Sequence, residues 1–478
     1  MKIWLVEPPH PTWRLFRMSA PSLGLASLAA VLEKDHQVTV VDFATLRGGW
    51  AAFEEKLVRD PPDVVGVTAI LTYYFPEALQ VAAFVRALSP RTLVVGGGYQ
   101  FTACAEDVLR GGNVDLIVRG EGEDTFLEIA AGGRREDILG LSYLAEGRVQ
   151  HNPDRPLRDS LDELPLPAWH HFAMDGYSLT PLGGRRASTL TVSRGCAYRC
   201  GFCSETFMWK SRIRRQSPQR AVEGLEVLAR DFGRDTVLFG DNDFLGDAAW
   251  AEGFVEALSR RRLRINFWIQ TTCLSVTRQA ALLSALRRLG MTHVMLGVES
   301  LSEAVLKRYR KPQNPQTIER AARLVREAGL SPFGFLMWGD AHDTEASLRQ
   351  GMDFMLEHCD LFSVNATMPL PATPYRTLSG SAENDFRRFD KYQMLVHPDG
   401  MDPRAAQEMW ERAAFHPRVT RRFLREALVG RTAAGRAWAR HSLLVEWLFD
   451  LLPPARDGLD DYLQARGRAV PEWRLQPA

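Results

Sequence analysis

Short apolar runs alternate with segments of helical periodicity through the first 130 residues of the chain. The apolar runs predict strands at residues 3–6, 38–43, 64–70, 92–95 and 115–118, and helices are predicted at 22–32, 76–88, 103–109 and from 124 onward. Apolar strands that alternate with helices indicate a parallel sheet covered on both faces. Residues 1–133 are therefore predicted to form a Rossmann-like domain, and ligands of such sheets lie where the strands end.

Residues 134–185 contain several prolines and little periodicity, which predicts a linker. Within it, residues 138–144 and 148–150 have the pattern of a small hairpin. His170 and His171 are adjacent here, but neighbouring residues on a strand point in opposite directions. Since no third ligand is expected near them, the pair is interpreted as a linker feature and not as a metal site.

A second alternating pattern covers residues 186–378. It predicts strands at 189–193, 236–240, 265–271, 293–299, 332–338 and 361–368, with helices at 218–231, 247–261, 277–289, 315–328 and 344–357. Six such units are too few for an eight-fold barrel, so we expect a partial (β/α)6 barrel of the TIM type. Residues 379–478 are predicted to be a helical C-terminal domain, with helices at 403–414, 419–428 and 433–452. The predicted fold class is α/β.

The composition argues against two classes of partner. The chain has 478 residues, with 59 Lys plus Arg and 58 Asp plus Glu, so it has no overall field that attracts nucleic acid or an anionic membrane. No apolar run approaches the roughly 18–20 residues that span a bilayer, and the apolar N-terminus is too short for a signal peptide. We therefore expect no nucleic-acid or membrane partner and a cytoplasmic location.

Three of the six cysteines carry the strongest chemical signal. Cys196, Cys200 and Cys203 have Cys-x3-Cys-x2-Cys spacing in the loop that follows the first strand of the second pattern. Thiolates ligate iron–sulfur clusters, and three ligands on a four-iron cluster leave one iron open. Zinc normally takes a fourth Cys or His ligand; none is close in sequence, although a distant ligand stays open. The other cysteines lie in apolar contexts and are expected to be buried: Cys104, Cys273 and Cys359.

The Cys-x3-Cys-x-Phe-Cys loop after the first strand of a partial barrel resembles the radical S-adenosylmethionine superfamily over roughly residues 185–375. The resemblance implies a 4Fe–4S cluster on the three cysteines, with S-adenosylmethionine on the open iron. It also implies contacts to S-adenosylmethionine from Phe202 and from residues at strand ends: Asp241, Asp243, Glu299 and Trp338. The family more often has Gly-Gly-Glu where Asp241 and Asp243 stand.

The N-terminal pattern resembles the cobalamin-binding domain that precedes the barrel in one large subgroup of this superfamily. The matching segments are residues 21–25, 65–68, 94–98 and 119–123, and glycine at a strand end lets a large ligand approach the backbone. The resemblance implies that Leu71, Thr72 and Tyr73 face the lower side of the corrin, without a histidine ligand to cobalt. It also implies that cobalamin is held at the strand ends by Gly96, Gly97, Gly98, Glu121 and Gly122. The alternative is an empty scaffold that only helps to bind substrate.

This resemblance implies an enzyme with three cofactors: the 4Fe–4S cluster, S-adenosylmethionine and cobalamin. It implies an external electron donor of the flavodoxin or ferredoxin type and a small-molecule or natural-product substrate. Methyl transfer to an unactivated carbon is the favoured reaction. Oxidation and ring closure, as in the oxygen-independent magnesium-protoporphyrin monomethyl ester cyclase, is the alternative. A non-catalytic cobalamin or iron–sulfur sensor is disfavoured by the intact cysteine triad.

Overall fold

The computed structural model describes residues 1–10, 20–177, 186–389, 393–429, 436, 439, 459–469 and 471. Its N-terminal part forms one mixed sheet with helices on both faces. The elements are β1 (Lys2–Glu7), α1 (Leu23–Leu32), β2 (Gln37–Asp42), α2 (Gly49–Arg59), β3 (Val64–Thr68), α3 (Phe75–Leu88), β4 (Leu93–Gly97), α4 (Tyr99–Ala103), α5 (Ala105–Arg110), β5 (Leu116–Val118), α6 (Glu123–Ala130), β6 (Leu141–Ala145) and β7 (Arg148–His151).

The strand order in this sheet is β2-β1-β3-β4-β5-β6-β7. The first five strands pair in parallel, while β6 and β7 form an antiparallel hairpin on β5. The predicted five strands and the predicted hairpin are confirmed. The hairpin extends the sheet into the segment that was predicted as a linker, because β6 supplies hydrogen bonds to the edge of β5.

The barrel part follows the second alternating pattern closely. Its elements are β8 (Ala187–Leu190), β9 (Ser193–Arg194), α7 (Glu205–Met208), β10 (Arg214–Arg215), α8 (Pro218–Arg230), β11 (Thr236–Phe239), α9 (Ala248–Ser259), β12 (Asn266–Thr271), α10 (Cys273–Arg278), α11 (Ala280–Arg288), β13 (Met291–Glu299), α12 (Glu303–Arg308), α13 (Pro315–Glu327), β14 (Ser331–Trp338), α14 (Glu345–His358), β15 (Leu361–Ala366) and α15 (Pro374–Ser379).

Six strands of this part form a wholly parallel sheet in the order β8-β11-β12-β13-β14-β15. The α/β fold class and the six-stranded partial barrel are therefore confirmed. The helices start where polar side chains satisfy free backbone N–H groups: Ser217 accepts from Arg220, Asn314 from Thr317 and Thr344 from Ser347.

The C-terminal part adds α16 (Pro403–Ala414), α17 (Pro417–Val429) and α18 (Leu459–Gln464). The first two confirm predicted helices, whereas the helix predicted at 433–452 lies almost wholly outside the described residues. Helix α18 packs against the N-terminal helices α2 and α3, where Leu459 is buried and Tyr462 donates a 2.8 Å hydrogen bond to Glu54 of α2. No helix in the described part of the chain is long and apolar enough to cross a membrane.

Candidate active site

The cysteine loop is held against the barrel rim by backbone hydrogen bonds. Gly201 donates to the carbonyl of Tyr309 at 2.8 Å and accepts from the N–H of Tyr375 at 2.9 Å. Gly195, just before the first cysteine, has φ 91°. A Cβ there would lie 2.0 Å from the carbonyl oxygen of Arg212. The sequence Arg-Gly-Cys therefore needs glycine at this position in order to place the first cysteine.

Burial disfavours the thiolate form of the three cysteines in the absence of a bound cation. Cys200 is buried and Cys196 and Cys203 are half-buried. Burial raises the pKa of Cys196 to about 11 and that of Cys203 to about 12. A coordinating metal deprotonates a thiol outright. Three cysteines on one short loop fit a 4Fe–4S cluster with an open iron. The other cysteines are buried as predicted, and none joins this loop.

A cavity of about 630 Å³ lies between the N-terminal sheet and the barrel. Gly66 in the middle of β3 and Gly97 and Gly98 at the end of β4 line it from the sheet, and Phe202 and Cys203 line it from the cysteine loop. A Cβ on Gly97 would meet nothing within 4 Å, so this backbone is open to a ligand. The cavity fits a large planar cofactor that approaches the glycine edge closely.

Eight of the predicted site residues line this cavity, and the rest of those predicted for the cofactors do not. The lining residues are Leu71, Gly96, Gly97, Gly98, Glu121, Gly122, Phe202 and Cys203. Thr72 is buried in the 3₁₀ turn Thr72–Tyr74, and the hydroxyl of Tyr73 lies 2.9 Å from Nε2 of His10. Of the three residues predicted for the lower corrin face, Leu71 alone reaches the cavity.

Asp241 and Asp243 turn inward from the end of β11. Asp241 accepts from the N–H of Val192 at 3.2 Å and from the Ser193 hydroxyl, and its burial raises its pKa to about 6. Asp243 accepts from Thr271, Thr272 and Ser275, at 2.6, 3.0 and 2.8 Å. Through these hydrogen bonds, the two carboxylates connect the end of β11 to the ends of the neighbouring strands β8 and β12. Gly240 and Asn242, which alternate with them, line the cavity instead.

Glu299 and Trp338 lie elsewhere at the carboxyl ends of the barrel strands. Glu299 has φ 62° and forms a 3.0 Å ion pair with Lys311, while the Trp338 indole is buried and donates to the carbonyl of Thr344. The charge of Glu299 and the thiol of Cys200 raise the pKa of Lys311 above its usual range, against the effect of burial. Sequence analysis missed Lys311, a buried cation beside the cysteine loop.

Sequence analysis also missed a polar cluster inside the cavity. The Tyr99 hydroxyl donates to Glu205 and accepts from the Trp209 indole N–H at 2.8 Å, and the Asn242 amide donates to Glu205. Burial raises the pKa of Glu205. The sequence offered only position as an indication of this cluster: Tyr99 follows three glycines, and Glu205 is two residues beyond the third cysteine.

Ion pairs join the two parts of the chain beside this cavity. Arg194 contacts Glu121 at 2.8 Å and Glu123 at 2.6 Å, and Arg214 contacts Glu121 at 2.8 Å. The Glu123 and Glu121 charges raise the pKa of Arg194 above its usual range despite its burial. The Glu121 carboxylate is thus engaged by two arginines at the cavity edge.

Known proteins share both halves of this architecture. The B12 binding domain matches residues 15–130 and the Radical SAM superfamily matches residues 190–355. An uncharacterized methyltransferase of Pyrococcus horikoshii is 29% identical over 384 residues, covering 78% of this chain and 81% of that protein. The anaerobic magnesium-protoporphyrin IX monomethyl ester cyclase of Synechocystis is 28% identical over 339 residues, covering 68% and 66%.

The solved structure of the radical S-adenosylmethionine methyltransferase TsrM from Kitasatospora setae, with cobalamin and a [4Fe-4S] cluster bound, has the same fold. It superposes with a TM-score of 0.65 at 21% identity and covers 86% of this chain and 84% of TsrM. The chain therefore joins a part that matches the B12 binding domain to a part that matches the Radical SAM superfamily.

Proposed function

We propose that the enzyme transfers a methyl group to an unactivated carbon of a small-molecule substrate. The observation that carries this proposal is that one continuous cavity is lined both by Cys203 of the cysteine loop and by Gly97 and Gly98 at the end of β4. When bound, the cluster and S-adenosylmethionine supply radical chemistry, and cobalamin supplies a transferable methyl group. The methyltransferase of Pyrococcus horikoshii supports this reaction.

Within this proposal the chain positions its ligands from both sides. Cys196, Cys200 and Cys203 hold the cluster, and Phe202 packs its ring against Tyr309, at 5.1 Å between centroids, on the side of S-adenosylmethionine. Glu299 and Lys311 form an ion pair beside Cys200 and would border S-adenosylmethionine. Asp241, Asp243 and Trp338 do not line the cavity; their side chains hydrogen-bond neighbouring backbone groups and so fix the strand ends that border it. Leu71 and the strand-end glycines border cobalamin, and Glu121 holds the domain boundary closed.

Substrate-facing polar groups are proposed at the centre of the cavity. Tyr99, Glu205 and Asn242 converge there from three different elements, and their hydrogen bonds to one another fix their orientation. Preorganised polar groups inside an otherwise apolar cavity set the orientation of a small ligand. The apolar residues of the lining would limit the access of water to a bound substrate.

Oxidation with ring closure is the second candidate, because the Synechocystis cyclase is about as similar as the methyltransferase. S-adenosylmethionine with a trideuterated methyl group separates the two. Anaerobically reconstituted enzyme is incubated with this reagent and the small-molecule extract of the source organism. A product that gains the labelled methyl supports methyl transfer. An unlabelled product that has lost hydrogen, formed with 5′-deoxyadenosine, supports the cyclase-type reaction. The Cys203→Ser variant is the control and should form neither.

For the electron donor we propose a small acidic carrier of the flavodoxin or ferredoxin type. Arg199 lies between two cluster cysteines, and Lys307 and Arg310 are close to it because Gly201 is bonded to Tyr309. All three cations are exposed, and none forms an ion pair with a described residue. The carbonyl of Leu378 accepts a hydrogen bond from Arg308, which places Leu378 beside these cations. Its side chain is 48% exposed and adds an apolar contact to this surface. Such a face attracts an acidic protein.

The Arg199→Glu/Arg310→Glu variant tests this surface. Its cluster should be reduced by flavodoxin about 10-fold or more slowly than that of the wild type, because complementary charge steers association. Reduction by dithionite should be unchanged. The control is Arg262→Glu, which reverses an exposed charge elsewhere. Equal rates with flavodoxin would contradict the proposed surface.

We also propose a cytoplasmic location, since free thiols and low-potential donors are kept reduced there. The proposed domains are residues 1–133, 186–378 and 379–478, with the segment 134–185 between the first two; the hairpin β6–β7 supports adding its residues to the first domain. Fractionation of the source cells tests the location, and limited proteolysis tests the boundaries.

A further inference from the structure

Three metal-binding side chains meet on the surface where the segment 134–185 crosses the N-terminal part. Nε2 of His170 and Nε2 of His171 each lie 2.8 Å from the same atom, Oε2 of Glu33. The three potential ligand atoms all lie within 4.8 Å of one another. The interpretation that no third ligand is near the histidine pair is therefore wrong. Glu33 is 137 residues from His170 in the chain, so proximity in sequence could not reveal it.

The local backbone explains how adjacent histidines can reach the same carboxylate. Trp169–His171 is a 3₁₀ turn, so consecutive side chains are about 120° apart and not on opposite faces as in a strand. The two imidazole centroids are 4.5 Å apart. The Trp169 side chain is buried, and the N–H of Ala168 donates to Ala26 of α1 at 3.0 Å. The turn is thereby fixed to the helix that ends at Glu33.

The charge balance at this point favours a cation. Glu33 caps the C-terminus of α1, where the helix dipole is negative and an acidic side chain is unfavourable. Each neutral imidazole can free Nε2 for a metal by carrying its proton on Nδ1.

We propose that Glu33, His170 and His171 form a binding site for a divalent transition-metal ion, with Zn²⁺ as the best match. Two imidazole nitrogens and one carboxylate oxygen are ligands that Zn²⁺ prefers. Water completes the coordination, because the side chain of His170 is 59% exposed.

The position gives the ion a structural role. Leu28 on α1 and Leu164 and Pro167 in the linking segment line the cofactor cavity. Glu33 follows α1, and the histidines follow Pro167 closely. An ion shared by Glu33 and the histidines therefore ties together two borders of the cavity, at a distance from the cysteine loop. Metal binding is expected to stabilise the folded enzyme by an amount that grows with the logarithm of the ratio of free metal concentration to Kd.

Zinc binding to the cluster-loaded enzyme tests the site. The protein is washed with a mild chelator, given one equivalent of zinc sulfate anaerobically and separated from free zinc by gel filtration. The wild type should retain one zinc ion, and its zinc absorption edge should show nitrogen and oxygen ligands at about 2.0–2.1 Å. His171→Ala and Glu33→Gln should each lower zinc affinity at least 10-fold and abolish the zinc-dependent rise in Tm.

His358→Ala is the matched control, because His358 lies near Glu357 on α14 and belongs to no such cluster among the described residues. It should bind zinc like the wild type. His170→Ala repeats the test at a more exposed side chain if His171→Ala folds poorly. Equal zinc retention by wild type and variants, or sulfur ligands at about 2.3 Å, would overturn the proposal. In the second case the zinc would be on cysteines.

Discussion

Arg214 and Glu121 form a buried ion pair across the boundary between the barrel and the N-terminal sheet, with 2.8 Å between Nη1 and Oε1. Their side chains are 2% and 5% exposed. Arg194 contacts the same oxygen from the neighbouring strand β9. Because both arginines lie on the β9–β10 pair that flanks the cysteine loop, Glu121 couples the position of that loop to the part of the cavity lined by the N-terminal sheet.

Replacing Glu121 with Leu should therefore destabilise the protein strongly. The change leaves Arg214 as a buried cation without its carboxylate, which typically costs about 3–5 kcal/mol. Urea denaturation measures the loss. The matched control is Asp159→Leu, which breaks the ion pair with Arg212, where the side chains are 88% and 51% exposed. Exposed pairs contribute about 0–1 kcal/mol, so similar losses in the two variants would contradict the interpretation.

Single cysteine substitutions should divide the six cysteines into two groups. Serine at position 196, 200 or 203 should remove most of the iron and sulfide, because the cluster has only three protein ligands. Alanine in place of Cys104, Cys273 or Cys359 should leave iron content unchanged, since these thiols are buried and belong to elements other than the cysteine loop. Iron and sulfide assays with visible spectra measure both groups. A triad variant with full iron would contradict the assignment.

The order of strands and helices could be predicted because almost every strand is a continuous apolar run. Several helix starts could be located as well, since Ser217, Asn314 and Thr344 cap them through their side chains. The cysteine loop followed from spacing alone. These features depend on neighbours in sequence, and local rules are sufficient for them.

The orientation of polar side chains at strand ends could not be predicted in the same way. Asp241 and Asp243 looked available for a ligand, but N–H and hydroxyl groups from adjacent strands engage them, and Asn242 between them faces the cavity. Tyr99 and Glu205 are 106 residues apart, and their hydrogen bond exists only after the two parts pack together. Such contacts depend on tertiary structure, which the local pattern does not encode.

Two neighbouring glycines at the end of β4 should respond differently to substitution. A Cβ on Gly96 would lie 2.5 Å from Cδ1 of Phe101, which is fully buried, so Gly96→Ala should destabilise the fold by about 1–3 kcal/mol. Gly97 has open space toward the cavity. Gly97→Leu should therefore fold normally but copurify with much less cobalamin. Cobalamin absorbance per protein and Tm measure the two effects, and full cobalamin in Gly97→Leu would contradict the proposed binding edge.

The stability of the N-terminal sheet should fall as the pH rises, and Glu7 should be the main cause. Burial, with a smaller contribution from the nearby charge of Asp42, raises the pKa of Glu7 to about 8. The folded state thus holds a proton that the unfolded state releases near pH 4.5, so stability is lost as the pH rises from about 4.5 through 8. At about 1.4 kcal/mol per pH unit, the loss could reach about 5 kcal/mol. Glu7→Gln should make the dependence of Tm on pH shallower between about 6.5 and 8.5, because glutamine does not titrate and the pKa of Asp42, raised by burial to about 6, lies below this window. Glu55→Gln, at a side chain 74% exposed, should keep the wild-type slope; a parallel slope in Glu7→Gln would assign the pH dependence to another group.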